Sequence, residues 1–284
     1  MSKLNRRKMR IAAATVTAGA IVTTGALTAS GAAQAAPLPQ QMESVSTHVW
    51  LTPMPQGTVT LGRDWFGSVD ATVDAFGLTP GSSHTVELVN RNGREIASFG
   101  TLTANSVGQA FATLDSTDWL PVGSAHVVIL NGTAGDAVSA EPIARTPQHV
   151  DGVSTYHLTP VEVSAGGANF GTPQGQATVR YNPFAKTITV TVTASGLTPG
   201  LHAAHIHVGS CAAQGPVQYM LMDFVADSNG QIRHETRTVT NVTTPLPATG
   251  WYLNLHQGNS NNILDAAGNP TINFRPLLCG DIVH

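Results

Sequence analysis

Thr187-Ile188-Thr189-Val190-Thr191-Val192-Thr193 alternates hydroxyl and aliphatic side chains without a break. Successive side chains of a strand point to opposite faces, so the run sets a threonine row against an Ile/Val row and predicts a half-buried strand. Residues 68–73 repeat the pattern more weakly, and residues 125–130 form a short run that is apolar apart from His126. Asp227-Ser228-Asn229-Gly230 is a hairpin turn signal. Beyond the first 35 residues no long helical stripe occurs. Short strands punctuated by Gly, Pro and Asn predict an all-β fold of antiparallel sandwich or barrel type.

Composition agrees. The chain has 284 residues, of which 42% are apolar and 11% charged, against about 25% charged in a typical soluble domain. Low charge with near-normal apolar content excludes intrinsic disorder, and it excludes a long-helix or coiled-coil protein, which needs Glu, Lys and Arg.

Internal similarity sets the domain plan. Ser46-Thr47-His48-Val49-Trp50-Leu51-Thr52-Pro53 returns as Ser154-Thr155-Tyr156-His157-Leu158-Thr159-Pro160. Gly77-Leu78-Thr79-Pro80-Gly81 returns as Gly196-Leu197-Thr198-Pro199-Gly200, and Asn105-Ser106-Val107-Gly108-Gln109 returns loosely as Asp227-Ser228-Asn229-Gly230-Gln231. Three marks in one order predict two tandem domains, 46–146 and 150–284, joined near Arg145-Thr146-Pro147-Gln148. Each is long enough for its own core.

Charge is unevenly placed. Five of the 14 basic residues (Lys3, Arg6, Arg7, Lys8, Arg10) open the chain. An Ala/Thr/Val/Ile stretch follows, then Ala33-Gln34-Ala35. Basic, apolar, small-x-small is the order of a secretory signal peptide, so residues 1–35 are expected to be cleaved and the product secreted. A membrane anchor is the rival, disfavoured because Ala, Thr and Gly dilute the apolar stretch. Nine basic side chains then face 17 acidic ones. That balance speaks against nucleic acid, whose binding depends on neutralising phosphates. No later apolar run reaches spanning length, so no membrane association is expected after cleavage. The two cysteines, Cys211 and Cys279, suggest one disulfide in an oxidising compartment, with two free thiols as the alternative.

The chemistry lies in the histidines. In His202-Ala203-Ala204-His205-Ile206-His207, strand geometry sends His205 and His207 to one side and Ile206 to the other. Two imidazoles so arranged can share a metal, and imidazole suits copper and zinc. Aligning the repeats on their glycines sets His205 against Val86, His207 against Leu88 and His256 against Ile129. Three histidines where the first unit is aliphatic read as a ligand set.

Residues 196–211 resemble the copper strand of copper/zinc superoxide dismutases, especially secreted bacterial ones. Leu253-Asn254-Leu255-His256-Gln257-Gly258-Asn259 resembles their later copper-histidine segment, and Arg275-Pro276-Leu277-Leu278-Cys279-Gly280-Asp281-Ile282 resembles their closing strand. CHRD domains share the Gly-Leu-Thr-Pro-Gly and Ala-His-Ile-His elements and a final histidine, and are the nearest rival. The resemblance covers roughly residues 152–284. It implies a Greek-key β-sandwich with copper on His205, His207 and His256, a structural His202, a Cys211–Cys279 disulfide, and Arg275 guiding superoxide. The arginine stands four residues before the cysteine rather than the family's three. After Cys211 the chain runs Ala212-Ala213-Gln214-Gly215-Pro216-Val217 without a histidine, so the zinc site and bridging histidine are not expected. His234 and His157 are weaker ligand candidates. His48, His84, His126 and His149 are expected to be surface or structural, and His284 to be terminal.

Three functions follow. The first is a copper dismutase converting superoxide to oxygen and hydrogen peroxide, with Arg275 supplying positive potential against an acidic background. The second is a non-catalytic copper binder, and the third a CHRD-type structural or interaction module.

Overall fold

The computed structural model describes residues 44–63, 68–90, 92, 94–116, 127–133, 142–146, 154–160, 163–165 and 167–284. The expected signal peptide with its expected cleavage near Ala35, His126, His149 and residues 147–150 of the expected linker lie outside the described residues. Among those described, regular structure is β apart from one 3-10 turn, Ile272–Phe274. The all-β expectation holds.

The first repeat contributes β1 (Val45–Pro53), β2 (Gln56–Arg63), β3 (Val69–Phe76), β4 (Ser83–Val89), β5 (Glu95–Thr103), β6 (Ala110–Ser116), β7 (Val127–Thr133) and β8 (Pro142–Arg145). The second opens with β9 (Ser154–Pro160), β10 (Val163–Ala165), β11 (Ala168–Gly171), β12 (Gln174–Asn182), β13 (Thr187–Ser195) and β14 (Gly200–His202). It continues with β15 (Ala204–Gly209), β16 (Gln214–Met220), β17 (Phe224–Ala226), β18 (Ile232–Val239), β19 (Trp251–His256) and β20 (Pro276–Ile282).

Two antiparallel sheets of eight strands share one plan, ordered β5-β4-β7-β8-β9-β2-β3-β6 and β16-β15-β19-β20-β1-β12-β13-β18. They correspond place by place, with one exchange. β1 sits between β20 and β12 of the second sheet, and β9 sits between β8 and β2 of the first. Each repeat's opening strand therefore completes the other repeat's sheet. Leu51 pairs with Gly175, and Leu158, its counterpart, pairs with Gly57. The closely related sequences of β1 and β9 explain how each fits the other's slot. Only Met54 and Pro55 separate β1 from β2, so the chain passes between sheets within two residues.

The Thr/aliphatic alternation is realised in β13. Ile188, Val190 and Val192 are fully buried, while Thr191 bonds Thr236 across the outer face at 2.9 Å. Each sheet curls over its own core. The second core gathers Val49 and Leu51 of β1 with Val179, Val190, Ile206, Leu253 and Leu278. The first gathers Val59, Val73, Val86 and Leu88 with Leu158 of β9. Each fully buried aliphatic side chain contributes roughly 1.5–3 kcal/mol.

The repeat signatures meet in space. Leu78 N–H donates to Gly108 O at 3.1 Å, and Leu197 N–H to Gly230 O at 3.2 Å. The turns behind them are built alike, because Asn105 and Asp227 each accept from two backbone N–H groups of their own turn. Gly108 and Gly230 both stand at φ +70, and a Cβ on Gly230 would lie 2.2 Å from Leu197 O. Only glycine fits there.

Candidate metal centre

β15 lies inside the second sheet between β16 and β19. Ala204 and Ile206 enter the core, so His205 and His207 occupy the opposite face. In β19, Leu253 and Leu255 also enter the core, which leaves Tyr252, Asn254 and His256 on the histidine face. The register sets His205 against Asn254 and His207 against Tyr252. That face is closed to solvent. Met54, Cys211, Tyr252 and Cys279 pack together on it, and Phe274 lies with its ring centroid 4.6 Å from that of His256. Exposure is 3% for His205, 3% for His207 and 0% for His256.

Their ligand nitrogens all lie within 4.8 Å of one another. His207 Nδ1 is 2.9 Å from Gly215 O, and His256 Nδ1 is 2.5 Å from Phe274 O. A carbonyl only accepts, so both imidazoles carry the proton on Nδ1 and keep an Nε2 lone pair for another partner. Orientation of ligand imidazoles by carbonyls in this way is the usual outer shell of a metal site. His205 Nδ1 lies 3.2 Å from His256 Nε2. Two donors about 2.0–2.1 Å from one ion stand that far apart when they subtend roughly 100°. With His205 offering Nδ1 and His256 offering Nε2, the buried and unpartnered His207 Nε2 is available to the same ion. The side chains present thus fit a first-row cation.

Burial holds the imidazoles neutral, the form that binds metals. Desolvation, reinforced by neighbouring His207, lowers His205 to about 4. Desolvation, reinforced by His205, lowers His256 to about 3. Burial also lowers His207, against the opposing effect of its bond to Gly215.

Cys211 and Cys279 form a disulfide. Arg275 caps the 3-10 turn and precedes Pro276, the partner of His256 across β19 and β20. The two ring nitrogens of His202 lie 2.9 Å from His256 O and 2.8 Å from Thr198 O, so its ring straps the ligand strand to the preceding loop. His84 is buried against Ser82, and His48, His157 and His234 are exposed. His284 reaches Leu246 O at 3.2 Å.

The glycine-anchored correspondence of the histidines with Val86 and Leu88 does not hold in space. Val86 and Leu88 belong to the first core, whereas His205 and His207 face away from the second. The glycine-anchored alignment therefore pairs side chains on opposite faces, because a one-residue offset inverts a strand. Tyr252, Asn254, Gly215 and Phe274 escaped the sequence reading. Only Tyr252 and Asn254 left a signal, at two-residue steps before His256. The first repeat also braces the site. Gln214 N–H donates to Val107 O at 3.0 Å and its Nε2 to Leu78 O at 2.8 Å, while Gln109 Nε2 donates to Ala212 O at 2.8 Å.

Fold and site define an all-β protein of two curled sheets with a buried three-histidine cluster in the second half. A model of the CHRD domain matches residues 154–262, a span that holds all three histidines and opens on the exchanged strand β9. It is the family the sequence ranked behind the dismutases. No curated protein matches the chain.

Proposed function

We propose that this chain is a secreted, CHRD-type β-protein that holds one copper ion on His205, His207 and His256 as a non-catalytic binding or structural centre. The observation that carries this reading is the convergence of three buried imidazoles inside the span matched by the CHRD model. The three imidazoles converge within 4.8 Å yet expose at most 3% of their surface. Three neutral imidazoles favour copper over the other first-row divalent cations, following the general order of affinities. When bound, copper supplies Lewis acidity and a one-electron couple. The residues themselves contribute orientation, through Gly215 O and Phe274 O, and exclusion of water. The CHRD match supports the non-catalytic reading.

Turnover of superoxide is the second reading, favoured by Arg275, which stands beside the register partner of His256. Metal analysis, copper EPR and superoxide turnover on the purified chain, with His205→Ala/His256→Ala in parallel, separate the two. The expected result is one copper per chain, absent from the double variant, with negligible turnover. Rapid turnover lost in the variant would replace the first reading with the second, and a chain that takes up no copper would end both.

A further inference from the structure

Among the described residues, the buried side-chain polar atoms lacking a hydrogen-bond partner include both amide atoms of Asn254, together with His205 Nε2 and His207 Nε2. Asn254 is 1% exposed. A buried donor or acceptor without a partner is destabilising, so two on one side chain demand an explanation. Placement supplies one. Asn254 is the direct cross-strand partner of His205, so the two share a row of the sheet, and it lies two residues before His256 on the same face. Its other cross-strand neighbour, Cys279, is committed to the disulfide. An apolar residue would satisfy the packing on this face without stranding two polar atoms. Asn is therefore present for something that arrives.

We infer that Asn254 completes the metal site, its carboxamide oxygen serving as the fourth donor beside the three imidazoles. This rests on the copper reading above and deepens it. Three imidazoles leave a four-coordinate ion one donor short, and the sequence assigns no fourth histidine to it. A neutral amide oxygen is a hard donor that adds no charge to a closed, low-dielectric site, where a carboxylate would need desolvation. It favours Cu(II) over the softer Cu(I).

The test uses the full chain loaded with Cu(II), comparing wild type, Asn254→Leu and Asn254→Asp by EPR, by competition for Cu(II), and by melting of the metal-free protein. Asn254→Leu should leave the metal-free melting temperature equal or higher, because the orphaned atoms are gone. It should nonetheless weaken Cu(II) binding at least tenfold and shift the EPR parameters while three nitrogens remain coordinated. Asn254→Asp, which restores an oxygen donor, should recover the affinity, and it decides the matter if the leucine variant does not fold. Copper binding and EPR unchanged in Asn254→Leu, or in Asn254→Asp no closer to wild type than the leucine variant, would overturn the assignment of Asn254 alone. A wild type that binds no copper would overturn the copper reading as well.

Discussion

His207 and Tyr252 stack with ring centroids 4.8 Å apart and planes 16° from parallel, and both are tied to one residue. Gly215 O accepts from His207 Nδ1 at 2.9 Å, while Gly215 N–H donates to Tyr252 Oη at 3.3 Å. Burial raises the Tyr252 hydroxyl, keeping it protonated. Tyr252→Phe preserves the stack and removes one hydrogen bond, so it should cost about 1 kcal/mol of stability and less than tenfold in copper affinity. Gly215→Ala should do more. A Cβ there would lie 2.1 Å from Val208 O, so the carbonyl that orients His207 must move. Losing such an orienting partner typically costs 10–100-fold in metal affinity. Competition titration and melting of both variants check this, and wild-type affinity in Gly215→Ala would show that the tether does not orient the ligand.

The disulfide closes a long loop on the same face. Cys211 and Cys279 are 68 residues apart, and Cys211 N–H donates to Asp281 Oδ1 at 2.7 Å. On the chain-entropy account, a loop of this length contributes about 4 kcal/mol. Replacing both cysteines by serine should lower the melting point under oxidising conditions and make it insensitive to reductant. Equal melting points for the oxidised wild type and the variant would show that the bridge adds no stability.

The sequence disclosed what depends on period two and on local repetition. The β13 alternation, the paired turns at Asn105 and Asp227, and the His205/His207 pair all follow from spacing along one segment. Two features depend on which segments meet, and spacing does not encode that. The exchange of β1 and β9 was hidden because the two strands are nearly the same sequence, so either partner satisfies the pattern. Asn254 stands two residues before His256, but spacing along β19 does not show that it meets His205; only the register between β15 and β19 does.

The lowered histidines imply acid sensitivity. His205 and His256 are neutral in the folded chain down to about 4 and about 3. In the unfolded chain they protonate near their ordinary value of about 6.5. Their neutral burial is therefore tolerated above that value, and stability is lost as pH falls from about 6.5 toward 4, where only the unfolded state gains protons. Between pH 7 and pH 5 the loss should be roughly 2 kcal/mol for each histidine. Urea unfolding of the metal-free protein across this range should show the decline, and a His256→Gln variant should show a shallower one. An identical slope in the variant would mean that His256 is not held neutral.

Leu51 and Leu158 are counterparts in the two repeats, each paired with a glycine of the sheet belonging to the other repeat. Leu51 is 4% exposed in the second core and Leu158 is 4% exposed in the first. Truncating either to alanine should cost about 2–5 kcal/mol. The exchange dictates where the damage falls. Leu51→Ala, a change in the first repeat, should speed amide exchange in β12 and β20 and weaken copper binding, because β20 pairs directly with the β19 strand of His256. Leu158→Ala, a change in the second repeat, should instead loosen β2 and β8 and leave copper affinity near that of the wild type. If each repeat kept its own first strand, the two patterns would be reversed, so hydrogen exchange resolved by peptide distinguishes the arrangements directly.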